Sequence, residues 1–183
     1  MNQILNISCY KFVALPDAED LRQPCLDQAL ARGLKGTILI AEEGINFFLA
    51  GPAAEVHAFV DWLRQDPRFS DLMPKESWSA AQPFRKMLVK VKREIIRMNH
   101  PSIRPAAGRA PAVTPETAKR WLDQGHDDEG RPVVTLDTRN QFEVDAGTFK
   151  NTINWGITKF TEFPEAVQAH LDELQDKTVI SFC

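Results

Sequence analysis

Apolar positions along the first hundred residues recur with two periods that take turns. "ISCYKFVAL" (7–15) has the β-branched and aromatic content of a strand, whereas "PDAEDLRQPCLDQALARG" sets Leu21, Cys25, Leu26, Ala29 and Leu30 at helical spacing and closes on Gly33. "GTILIAEEGINFFLAG" predicts two strands around Glu42, Glu43 and Gly44. A second helix is expected from Ala53 to Gln65, with Val56, Phe59, Val60 and Leu63 on one face and "DPRF" ending it. "KESWS" and "KMLVKVKREI" both read as extended. The order βαββαβ with an added strand predicts a ferredoxin-like (acylphosphatase-like) α+β domain over residues 1–98. Its expected interior holds Leu21, Ile38, Leu39, Val56, Phe59, Val60, Met87 and Val89.

Pro101, Pro105 and Pro111, set among Ala, Gly and Arg, predict an extended linker over 99–113. Beyond it the periods resume. Thr114 caps a helix that has Pro115 at its first position, and "RPVVTLD" and "KTVISF" read as short buried strands. Between them "FPEAVQAHLDEL" predicts one helix with Phe163, Val167, Leu171 and Leu174 on one face. Apolar strands separated by amphipathic helices imply parallel pairing in an α/β unit over 114–183. Active sites in such sheets lie beyond the carboxyl ends of the strands, where Cys183 falls.

Composition adds limits. A chain of 183 residues, 43% hydrophobic and 26% charged, is long enough to bury a core. The N-terminus lacks a basic segment leading into an apolar one, and no stretch approaches the roughly 18 apolar residues of a membrane span, so a cytoplasmic protein is expected. Cys9, Cys25 and Cys183 are odd in number and far apart, which argues against a disulfide framework and a CxxC metal site. His57, His100, His126 and His170 stand singly, and there is no dinucleotide glycine fingerprint, so no metal and no organic cofactor is expected.

Charge is uneven in a way that composition hides. Residues 84–109 hold eight Lys or Arg against one acid, Glu94, so the remainder of a chain of net charge −3 carries −10. Such a stretch is either a solvated strand face or a contact for a polyanion. Alternation along the strand would turn Lys86, Lys90 and Lys92 away from Met87, Val89 and Val91. A two-residue step of about 6.6 Å matches the separation of successive phosphates, which favours RNA.

Cysteine at a strand-to-loop junction is a candidate nucleophile, because backbone N–H groups there can stabilise a thiolate. An isolated cysteine is more often structural, as Cys9 in a strand pattern and Cys25 on a helix face would be. The neighbourhood of Cys183 shifts that balance. "VVTLDTRNQFEVDAGTFKNTIN" resembles the rhodanese signature, carried by Asp137, Arg139, Glu143, Gly147, Phe149 and Asn154, after which a core strand such as "VISFC" leads to the catalytic cysteine. Together with "AEEGIN" (41–46) and "PFRKMLVKVKREI" (83–95), and with "LDTRNQFEVDAGTFKNTINWGITKFTEFPE" (136–165), the chain resembles the oxygen-dependent tRNA uridine hydroxylases, a family with a rhodanese-like domain.

That resemblance implies hydroxylation at C5 of the wobble uridine of tRNA, with molecular oxygen as co-substrate, tRNA as partner and Cys183 as the catalytic residue. It also implies a rhodanese-like second domain that is incomplete at its C-terminus, since the family continues past the cysteine. A chain ending on the nucleophile is therefore expected to be inactive by itself. Two departures stand out: Phe47 and Phe48 follow "GIN" where the family has a small, turn-compatible pair, and "NWG" (154–156) replaces an Asn-Pro step. Asp137 and Arg139 either brace the catalytic loop and bind an anion there, or form a structural ion pair with Glu143 or its neighbours. A sulfurtransferase carrying a cysteine persulfide, and a non-catalytic RNA-binding protein, are the other two classes open to these residues. The sequence gives no oligomeric state.

Overall fold

A computed structural model of the chain describes residues 3–100, 103, 108 and 110–183. It forms two units: of the described residues, the first holds those up to Ile96 and Gly108, and the second Arg97–His100, Ile103 and residues 110–183. The linker residues Pro101 and Pro105, with the bases Arg104 and Arg109 of the basic stretch, lie outside the described residues.

In the first unit, β1 (Ile4–Phe12), α1 (Ala18–Ala31), β2 (Lys35–Ala41), β3 (Gly44–Gly51), α2 (Ala53–Leu63), β4 (Lys75–Ser79) and β5 (Met87–Val91) follow one another. The strands form one five-stranded sheet in the order β4-β1-β3-β2-β5. The first four pair antiparallel and β5 adds in parallel beside β2, so this is the ferredoxin-like, acylphosphatase-like α+β fold with an extra edge strand. Alternate residues of the strands supply one apolar face: Leu5 and Ile7 from β1, Ile38 and Ile40 from β2, Ile45, Phe47 and Leu49 from β3, and Val89 from β5. Cys25 and Ala29 of α1 and Val56, Phe59, Val60 and Leu63 of α2 close over it. Each large side chain buried there contributes about 1.5–3 kcal/mol.

Three expectations need correction. β1 starts and ends earlier than residues 7–15, because Val13 and Leu15 already donate to the carbonyls of Glu43 and Glu42 in the hairpin turn, both at 2.9 Å. Leu39 is not in the core: Ile38 and Ile40 face the helices, so the pleat turns Leu39 to the opposite side. Leu30 is 57% exposed, since Ala18, Cys25 and Ala29, with Leu21 and Leu26 at the margin, already make up the buried stripe of α1. The turn itself depends on Gly44 (φ 152°), where a Cβ would sit 2.0 Å from the Lys11 carbonyl oxygen. Phe47 and Phe48 lie past that turn, inside β3, so their bulk does not disturb it.

The second unit contains α3 (Pro115–Gln124), β6 (Val133–Asp137), α4 (Gln141–Asp145), α5 (Phe163–Ala169), α6 (Leu171–Leu174) and β7 (Thr178–Phe182). The Thr114 hydroxyl accepts from the Thr117 N–H at 3.2 Å and Gly125 takes a left-handed φ of 80°, so α3 is capped at both ends. β6 and β7 pair in parallel, Val133 opposite Thr178 through Asp137 opposite Phe182. The helix expected over "FPEAVQAHLDEL" is broken at His170, which leaves helical geometry (φ −123°, ψ 23°) while its ring stacks on Trp155 at 5.2 Å. Leu171, expected on the buried face, is exposed. "KTVISF" is half-buried rather than buried, because a two-stranded sheet leaves both of its strands an open edge.

Candidate active site and nucleic-acid face

The ends of β6 and β7 bring Asp137, Arg139 and Cys183 together. Asp137 ends β6 with its side chain fully buried, a placement that requires partners for a carboxylate. Arg139 Nε and Nη2 donate to its two oxygens at 3.0 and 2.7 Å, the Arg139 backbone N–H adds a bond of 3.1 Å, and the Thr148 hydroxyl donates at 2.7 Å. The guanidinium, helped by the hydroxyl and the N–H, holds the Asp137 carboxyl down to about 2, although burial pushes the other way. Arg139 is in turn fixed by the Gly147 carbonyl at 2.7 Å and stands 5.9 Å from the centre of the Phe182 ring.

Phe182 carries the cysteine that follows it. The Phe182 carbonyl accepts from the Thr138 N–H and hydroxyl, each at 3.0 Å, and its ring meets Phe149 edge-on at 4.8 Å. Cys183 is exposed and follows Phe182 directly, so it emerges at the end of the strand pair that holds the locked Asp137–Arg139 ion pair. Glu143 takes a different part: its carboxylate accepts from the Asn140 backbone N–H at 3.2 Å and side-chain amide at 3.1 Å, which anchors the start of α4. Gly147, part of the signature, is joined in the cluster by Thr138 and Thr148, which were not singled out in sequence although both fall within the motif that contains Asp137.

Cys9 and Cys25 are buried, and burial pushes both thiols up, that of Cys25 to about 12. Both belong to the core of the first unit. His57 pairs with Glu76 at 3.0 Å and His170 with Glu173 at 2.7 Å. Among the described residues no three His, Cys, Asp or Glu side chains converge as a metal site. No helix among them is long and apolar enough to cross a membrane.

Lys86, Lys90 and Lys92 are all exposed on or beside the edge strand β5. The ladder runs past the strand at both ends, through Gly36 N–H to Lys86 carbonyl (3.1 Å) and Lys92 N–H to Ile40 carbonyl (2.8 Å). Leu88 holds the position between Lys86 and Lys90, so those two are separated by about 13 Å rather than one two-residue step. Lys92 borders a groove that also contains Arg93 and the acids Asp17, Glu19, Asp20 and Glu42, whereas Lys86 and Lys90 do not line it.

Residues 4–95 match the family model described as the UPF0176 acylphosphatase like domain. Over all 183 residues the chain is 73% identical to the tRNA uridine(34) hydroxylase of Delftia acidovorans, spanning 70% of that protein. The chain belongs to the tRNA uridine(34) hydroxylase family. The protein of that name from Variovorax paradoxus is 64% identical over the same residues, again spanning 70% of its length. An acylphosphatase from Bacillus subtilis overlaps 49% of this chain and 99% of its own at 17% identity and a TM-score of 0.37. The matches to the family members run through both units, so the Asp137–Arg139–Cys183 cluster and the β5 lysines lie within the region aligned with them.

Proposed function

We propose that this chain serves, as part of a tRNA uridine(34) hydroxylase, in the hydroxylation of C5 of uridine 34 in tRNA, with molecular oxygen as co-substrate and Cys183 as the residue that meets the base. The observation that carries this reading is an exposed Cys183 at the end of the strand pair that holds the locked Asp137–Arg139 ion pair, in a chain 73% identical to a tRNA uridine(34) hydroxylase. Residues 114–183 then form the part of a rhodanese-like domain that contains the nucleophile, residues 99–113 a linker, and residues 1–98 a domain that helps to hold the tRNA. The substrate places the reaction in the cytoplasm.

Uracil is electron-poor at C6, and a thiolate that adds there turns C5 into an enolate-type nucleophile, the carbon that receives the hydroxyl. Molecular oxygen supplies the new hydroxyl oxygen while its second atom leaves as water, a step that takes two electrons and two protons from a reductant; loss of the C5 proton then expels the thiolate from C6 and restores the double bond. Arg139 acts as the fixed positive charge for an anion beside the sulfur, and Asp137 keeps the guanidinium in place; neither is asked to move a proton. Lys86 and Lys90, with a smaller share from Lys92, neutralise tRNA phosphates.

The test is mass spectrometry of tRNA nucleosides from cells that lack the gene. Loss of 5-hydroxyuridine, regained when the gene is restored, is the expected result. Unchanged 5-hydroxyuridine with loss of thiosulfate-dependent sulfur transfer would move the chain to the sulfurtransferases.

A further inference from the structure

The sheet of the first unit has a second face, turned away from the helices, and its centre is aromatic. Ser8 and Tyr10 of β1 and Asn46 and Phe48 of β3 point there, because their neighbours Ile7, Cys9, Ile45, Phe47 and Leu49 fill the core. In the β1–β3 register Ser8 lies opposite Phe48 and Tyr10 opposite Asn46, which makes the two aromatic rings diagonal neighbours on adjacent central strands. Tyr10 is 55% and Phe48 49% exposed. The face is bounded at one end by Gln82, whose amide reaches the Ala50 carbonyl at 3.0 Å, and at the other by Ile95, whose carbonyl takes the Asn46 amide at 3.5 Å. Between these borders the rings stand open to solvent.

We infer that this face is a stacking platform for unpaired RNA bases, with Tyr10 and Phe48 as the two π surfaces. The inference rests on the tRNA reading above and names the part of the RNA that the first unit takes: a single-stranded loop, the kind of segment in which position 34 lies. Charge and chemistry select the occupant. The hollow between the rings is lined by Ser8, Cys9, Asn46, Met73 and Lys75 with no carboxylate, and Lys90 stands on the same face two strands away. Glu76, on the neighbouring strand, points to the helix side and is engaged by His57. Tyr10, which meets Phe12 edge-on at 5.9 Å, and Phe48 offer ring faces beside the Ser8 hydroxyl, the Asn46 amide and the Lys75 ammonium, and a hollow lined by a cation and no carboxylate favours bases and phosphates over an acidic or neutral protein partner. Base pairs in a duplex cannot offer their faces to side chains, so the platform selects unpaired bases.

Phe48→Leu and Tyr10→Leu keep apolar bulk and remove the π face, so binding can be compared in proteins that still fold; melting temperature checks this. The probes are a fluorescein-labelled uridine heptanucleotide, a duplex RNA of equal length, and tRNA, titrated by anisotropy at several salt concentrations. Wild-type chain should prefer the heptanucleotide to the duplex. Each Leu variant should weaken the heptanucleotide by about fivefold to a hundredfold, with the salt slope unchanged because no charge is altered. Lys86→Ala with Lys90→Ala should lower both tRNA affinity and the slope. If the lysine variants behave so while the Leu variants bind like wild type, the stacking platform is wrong and the tRNA reading stands. Wild-type chain that binds none of the three RNAs contradicts both. Leu variants that change sedimentation without changing RNA affinity would make the face a contact between copies of the chain.

Discussion

The two units are built on opposite economies of polar and apolar groups. In the first, five strands and two helices enclose a continuous apolar core, with Phe47, Phe59 and Phe69 among its fully buried side chains. In the second, Leu136 and Ile157 are the buried apolar side chains among the described residues, and Asp127, Thr135 and Asp137 are buried beside them. Asp127 accepts from the Glu129 and Arg131 N–H groups, each at 2.9 Å, and from the Thr178 hydroxyl at the start of β7. Asp137 performs the same task at the other end of the strand pair. One unit is held by hydrophobic burial, the other by two buried carboxylates that tie loops to parallel strands, and the proposed chemistry sits where the second carboxylate is.

The sharpest break in this contrast is a matched pair of truncations. Phe59→Ala should cost about 3–5 kcal/mol in urea denaturation of the first unit, as a fully buried ring leaves a cavity. Phe149→Ala, at a ring 58% exposed, should cost about 1 kcal/mol or less in the second. Equal costs would erase the distinction.

Asp137 offers the next largest effect. Asp137→Asn keeps the shape and loses the charge that Arg139 requires, which should cost the second unit about 2 kcal/mol and leave the first unchanged, read by hydrogen exchange resolved along the chain. The pH dependence follows in sign. A carboxyl held at about 2 in the folded chain and ordinary when unfolded stabilises above pH 4, and that contribution is lost as pH falls from about 4 through 2. The Asn variant should lack this acid-dependent loss. An unaltered acid response in the variant would show that Asp137 is not its source.

The smallest effect concerns the cysteines and is one of rate rather than stability. Iodoacetamide should label Cys183 in the native chain, while Cys9 and Cys25 should react only after unfolding, since burial both shields them and raises their thiols. Peptide mass spectrometry reads all three. Native labelling of Cys25 would mean that the core of the first unit opens.

Legibility in sequence differed for the same physical reason. Where burial decides, the period of the pattern is enough: the Val56, Phe59, Val60 and Leu63 face of α2 is as expected, and so is the succession of strands and helices through β5. The misses there, Leu30 and Leu39, are apolar residues one step off the face that packs, and sequence period alone assigns them to either side. In the second unit the pattern found the strands and their parallel pairing but misjudged the burial of β7, and it merged α5 with α6 because the stacking of His170 on Trp155 is a long-range contact with no local signal. Asp137 and Arg139 were visible through the motif, whereas Thr138 and Thr148 became visible only once the chain had brought them to Phe182 and Asp137. Glu143 was grouped with the site and proves to cap a helix, a role its spacing of three from Asn140 already permits.

The claim at the centre is that Cys183 meets the uridine. It is tested most directly by placing Cys183→Ser in the chromosomal gene and measuring 5-hydroxyuridine in total tRNA, with the amount of protein checked in parallel. The predicted result is the same loss of the modified nucleoside as in a full deletion, at normal protein abundance. Normal 5-hydroxyuridine in the serine strain would contradict it.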